Sequence, residues 1–213
     1  MGSLPVFCKN HHGQDARATK DSAMSRPKLF IGFPVFNTIR QKVETLQPAW
    51  GEAGTGLAWS PKEELHVTVL FLGDVPTSDW MTVCKCVESI TAEAMEFDVR
   101  FLGLGAFPNL RRPRVVYAGV EEGVGELKAL HDGISGRLED HRFFVREDRS
   151  FTPHLTVGRV HAEDQHDTIA QELLKWPDWD GGRMTVADLT IYSSEQRRGR
   201  YEYTVVGRYP LDG

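Results

Sequence analysis

The chain has 213 residues, with 25 Lys+Arg against 30 Asp+Glu for a formal net charge of −5. This acidic balance argues against a protein that coats nucleic acid, which needs a broadly basic face to neutralise phosphates. No run approaches the roughly 20 apolar residues of a bilayer span, so no membrane partner is expected.

Hydrophobic residues make up 40% and charged residues 26%, ordinary for a globular protein. A chain of this size buries roughly 70% of what its unfolded form exposes, enough for one core or for two small lobes sharing a cleft. The cysteines Cys8, Cys84 and Cys86 make neither a fully paired framework nor a set with metal spacing, which favours a reducing, cytoplasmic setting.

Residues 1–26 have neither a period of 2 nor one of 3.6 and read as a disordered N-terminal extension. They also lack the apolar core of a secretory signal. The adjacent His11 and His12 read as solvated tail residues rather than a metal site. Apolar sequence begins just after Met24, so the working domain is expected over 27–213. Deleting residues 1–23 is expected to leave folding intact.

Strands are predicted at Leu29–Val35, Glu64–Leu72, Phe97–Leu104, Val115–Val120, Pro153–Val160, Met184–Tyr192 and Tyr201–Tyr209, all rich in β-branched and aromatic residues. Helical spacing predicts Thr38–Ala49, broken near Pro48, and Ser78–Ala94, capped by Thr77 or Ser78. It also predicts Leu127–Leu138 and Thr168–Lys175. Strand–helix–strand occurs twice, a duplicated plan without a run of shared identities. The fold class is α+β: bilobal, two antiparallel sheets related by a pseudo-twofold, with helices outside and a central cleft.

One constellation carries chemistry. His66-Val67-Thr68-Val69 is matched 88 residues later by His154-Leu155-Thr156-Val157. Alternation along a strand points each His and its Thr to one face and the apolar residues to the other. Two such strands facing a cleft would offer two imidazoles and two hydroxyls to a single group. Chance alone supplies about half a His-x-Thr triplet in such a chain. A third, His166-Asp167-Thr168, leads into a helix, and its Thr168 reads as a cap or first-turn residue. Either strand histidine alone reads as a half-buried residue satisfied by backbone carbonyls. Matched Thr and matched strand context tip the pair toward function.

These motifs are similar to those of the two-histidine (2H) phosphoesterase superfamily, above all the RNA 2′,3′-cyclic phosphodiesterase (2′-5′ RNA ligase) family. Further matching stretches are Leu29-Phe30-Ile31-Gly32-Phe33, Gly103-Leu104-Gly105-Ala106-Phe107-Pro108 and Phe151-Thr152-Pro153. The resemblance implies hydrolysis of RNA 2′,3′-cyclic phosphate ends to 2′-phosphomonoesters, with weak reverse 2′-5′ joining and without metal or cofactor. It implies His66 as proton donor, His154 as proton acceptor, and Thr68, Thr156 and Arg159 as phosphate-binding residues. Arg159 is the weaker match.

The implied partner is RNA with a cyclic phosphate end or a related cyclic nucleotide, acted on by a monomer. The competing readings are a cyclic phosphodiesterase for a small nucleotide or ADP-ribose derivative, and a non-catalytic RNA-end binder. Two arginine clusters, Arg111, Arg112 and Arg114, and Arg197, Arg198 and Arg200, are candidates for backbone phosphates. The five tryptophans are candidates for base stacking, although packing explains most of them.

Overall fold

The structure, a computed structural model, describes residues 27–146, 150–197 and 200–212. The expectations for 1–26 lie outside these residues. Nine strands form one antiparallel sheet in the order β7-β4-β5-β6-β3-β1-β8-β9, with short β2 (Leu57–Trp59) added to β6. The other strands are β1 (Lys28–Pro34), β3 (His66–Asp74), β4 (Phe97–Phe107), β5 (Val115–Glu122), β6 (His154–Val160), β7 (Asp180–Val186), β8 (Asp188–Arg197) and β9 (Arg200–Pro210). The helices are α1 (Asn37–Trp50), α2 (Trp80–Thr91), α3 (Val124–Leu138) and α4 (His166–Leu173).

The expected duplication is visible in the topology. One half of the sheet is β3-β1-β8-β9 and the other β6-β5-β4-β7. The series β1-α1-β3-α2 repeats as β5-α3-β6-α4. The halves are joined edge to edge where β3 meets β6, at Val67 opposite Leu155. The two expected sheets are therefore the halves of one curled sheet. Helices α2 and α3 pack together, α2 lying on β8 and β9 and α3 on β3, while α1 lies on β7 and α4 on β4.

Apolar spacing explains the helices: Leu127, Leu130, Ile134 and Leu138 are all buried on one face of α3, at three- and four-residue steps. Helix α1 runs past Pro48 to Trp50 rather than breaking there. Pro48 lies in its last turn, where only one N–H is lost, and the buried Trp50 packs edge-on against Trp59.

Neither Thr77 nor Ser78 caps α2. Residues Thr77–Asp79 wind into a 3-10 turn and Asp79 precedes the helix without a side-chain bond. The stretch read as one strand, Met184–Tyr192, belongs to two. Strand β7 pairs with β4, and after Ala187 the chain crosses to pair β8 with β1. Asp188 alone marks that crossing, in a run that is otherwise rich in strand formers on both sides. Among the described residues, no helix is long and apolar enough to cross a membrane.

Candidate active site

His66 and His154 open β3 and β6, the two strands that meet at the centre of the sheet. Val67 and Leu155, each next to a histidine, are fully buried and face each other across the junction. Antiparallel pairing about that point sets His66 toward Thr156 and Thr68 toward His154. The two histidines then lie on a diagonal, with Cα atoms about 7–8 Å apart. All four side chains are part-exposed, opposite the buried face of Val67, Val69, Leu155 and Val157.

Each imidazole is held in the same way. His66 Nδ1 lies 2.6 Å from the Glu64 carbonyl oxygen and His154 Nδ1 lies 2.8 Å from that of Thr152. A carbonyl only accepts, so both Nδ1 atoms carry hydrogen and donate. This fixes the tautomer and leaves both Nε2 atoms for proton exchange with a ligand.

A second symmetry lies in the bulges. Gly32 and Ile31 of β1 pair with Thr68 and Leu70, leaving Val69 as an extra residue on β3. Tyr117 and Val116 of β5 pair with Thr156 and Gly158, leaving Val157 extra on β6. Both extra residues come three after the histidine, and each resets the alternation of side chains. Phe71 and Arg159, five residues after their histidines, consequently join the His/Thr face, and both are exposed. The pseudo-twofold thus sets an aromatic ring at one position and a guanidinium at its twin. Arg159 is close enough for its charge to act on both histidines and on Tyr203.

Burial pushes the pKa of both imidazoles below the usual 6.5, opposed by the backbone hydrogen bonds of their Nδ1 atoms. The positive charge of Arg159 lowers both further, and His154 also lowers His66. A proton on His154 disfavours one on His66, which favours a form with one proton on the pair over an intermediate range of pH.

The rings around the site are ones the sequence reading did not single out. Phe30, Tyr203 and Tyr192 lie 4.9, 5.5 and 6.1 Å from the His66 ring, centroid to centroid. Phe107 and Tyr117 lie 4.9 and 5.5 Å from His154. Phe30 and Phe107 stand in two stretches that carried the resemblance, but their approach to the histidines is tertiary.

The tryptophans proposed for stacking serve packing instead: Trp59, Trp80, Trp176 and Trp179 lie against the core and Trp50 within it. Arg111, Arg112 and Arg114 sit on the exposed loop between β4 and β5, where Asn109 Oδ1 accepts the N–H groups of Arg111 and Arg112. Arg197 pairs with Glu195 and Glu202. The expectation for Arg198 and for the Arg200 side chain falls outside the described residues. His166 and Thr168 lie in the first turn of α4, separate in role from the strand motifs.

The model of the 2′-5′ RNA ligase superfamily matches residues 36–198. A protein of Archaeoglobus fulgidus named RNA 2′,3′-cyclic phosphodiesterase is 34% identical over 167 residues, covering 78% of this chain and 90% of that one. A protein of the same name from Aquifex aeolicus is 27% identical over 186 residues, covering 87% of this chain and 98% of that one. A solved structure from Thermus thermophilus superposes with a TM-score of 0.73 at 25% identity, covering 87% of this chain and 98% of its own.

Proposed function

The chain belongs to the 2′-5′ RNA ligase superfamily, a family of cyclic phosphodiesterases, and we propose that it opens RNA 2′,3′-cyclic phosphate ends to 2′-phosphomonoesters by two-histidine acid–base catalysis. The observation that carries this reading is the pair of imidazoles on one face, each locked through Nδ1 to a backbone carbonyl, which turns Nε2 away from that bond.

The cyclic diester has one negative charge, which the Arg159 fork and the hydroxyls of Thr68 and Thr156 hold. His154 Nε2 takes a proton from water as the water oxygen bonds to phosphorus. The P–O3′ bond breaks on the far side, and His66 Nε2–H protonates the departing oxygen. Solvent returns the proton from His154 to His66 before the next turnover. Each proton transfer contributes typically 10² to 10⁴ in rate, and the donors around the phosphoryl oxygens stabilise the charge that builds there. An RNA 5′-hydroxyl in place of water gives weak 2′-5′ joining by the same steps.

The test is turnover of a cyclic-ended oligonucleotide, with product identified as the 2′-phosphate. His66→Ala and His154→Ala are each expected to remove at least 10² of the rate while binding of the 2′-phosphate product persists. Unchanged turnover in both variants would refute the mechanism. Since the chain supplies both acid and base, chelator is expected to have no effect.

A further inference from the structure

The reaction just proposed has a direction, and it selects one half of the sheet for the RNA. The leaving O3′ belongs to the terminal ribose and takes its proton from His66, while water arrives from the side of His154. In-line displacement therefore places the terminal nucleoside over the half that contains β1, β8 and β9.

That half exposes rings. Phe71 is 61% exposed, Tyr203 36% and Tyr201 53%. Buried Phe30 backs them, with ring centroids 5.8 Å from Phe71 and 5.4 Å from Tyr203. The rings beside His154 differ, since Phe107 and Tyr117 stack on each other at 4.3 Å and spend a face apiece on that contact.

Resting on the proposed function, we propose that strand β9 carries a stacking track for the RNA chain. Tyr203 flanks the terminal nucleoside, and Tyr201 holds the base of the nucleotide before it. Tyr203 and Tyr201 pair with Ser194 and Gln196 without a bulge between them, so both rings share one face of β9. Two residues along a strand advance about 7 Å, a step that adjacent unstacked nucleotides can span. Ring stacking accepts any base, because every base has a π-face.

Carboxylates stand near the track, and the charge of Glu64 acts on Tyr203. Glu202 alternates to the opposite face of β9, where it meets Arg197, itself bound to Glu195. The track continues without interruption into the site, since Tyr203 lies edge-on to His66.

The experiment compares a cyclic-ended dinucleotide with a 2′,3′-cyclic mononucleotide as substrates of the whole protein. Tyr201→Ala is expected to lower kcat/KM for the dinucleotide roughly ten-fold, through KM. Mononucleotide turnover is expected to stay unchanged, and Tyr201→Phe to restore the dinucleotide. Equal losses on both substrates, or no loss on either, overturn the track while leaving the hydrolase reading intact. A wild-type protein that opens neither substrate refutes the hydrolase reading, and the track with it.

Discussion

Val67 of β3 faces Leu155 of β6 at the junction between the two halves of the sheet, and each directly follows a histidine. The pseudo-twofold therefore passes between the two motifs, and each imidazole is set by the other's strand as well as its own.

A shared site predicts non-additive losses. His66→Ala and His154→Ala are each expected to cost roughly 10² to 10⁴ in rate. In the proposed mechanism acid and base act in one step, so the double variant is expected to be little worse than the poorer single one. Rates of the four proteins on a cyclic-ended oligonucleotide check this. Multiplying losses would mean that the histidines act independently.

The pH profile follows from the burial that lowers both imidazoles below 6.5. In the proposed mechanism the active free protein holds one proton on the pair, and with both groups lowered this form is most abundant below pH 6.5. A bell in kcat/KM with its maximum below pH 6.5 is expected. A bound diester anion favours the charged imidazoles, so the alkaline limb of kcat should lie at higher pH than that of kcat/KM. Stability has a definite sign too. Below pH 6.5 the unfolded chain binds more protons than the folded one, so stability is full above 6.5 and lost as pH falls through the lowered values. Replacing both histidines with glutamine should flatten the dependence of Tm on pH in that window.

Arg159 gives a prediction with two readouts. Its charge lowers both histidines, so Arg159→Gln raises both and moves the kcat/KM bell to higher pH. If Arg159 holds the phosphate as proposed, losing its charged donor is also expected to cost roughly 10- to 100-fold in kcat/KM. Arg159→Lys keeps the charge but not the fork. It is expected to keep the wild-type pH profile with reduced activity, which separates the electrostatic role from the geometric one.

The same residue marks where the sequence stops being legible. His66, Thr68, His154 and Thr156 follow period-two alternation on apolar strands, so their common face is readable from spacing. Arg159 stands five residues after His154, and strict alternation would turn it into the core. The extra residue Val157 returns it to the His/Thr face, and the one local sign of that bulge is the adjacent strand glycine, Gly158. The resemblance supplied Arg159 where alternation could not. Helix faces were readable because apolar residues repeat within single elements. The crossing at Ala187 and the rings of Phe30, Tyr203 and Phe107 around the histidines come from pairings between distant segments.

Gly32 tests how closely the junction is built. It lies opposite Thr68 beside the Val69 bulge, and a Cβ there would run into the backbone carbonyl oxygen of Val67. A carbonyl in a paired strand has nowhere to rotate, so Gly32→Ala must displace Val67, and with it His66, Thr68 and the contact to Leu155. A loss of about 3 kcal/mol is expected, lowering Tm by roughly 6–12 °C, with activity falling further than stability alone explains. Gly136 is the control: it is exposed in α3, and nothing lies within 4 Å of an added Cβ. Gly136→Ala is expected to stabilise by about 0.5–1 kcal/mol through helix propensity, with turnover unchanged. If Gly32→Ala kept wild-type Tm and turnover in the same melting and rate measurements, the close approach of β1 to Val67 would be wrong, and the placement of both motifs at the junction would need to be rebuilt.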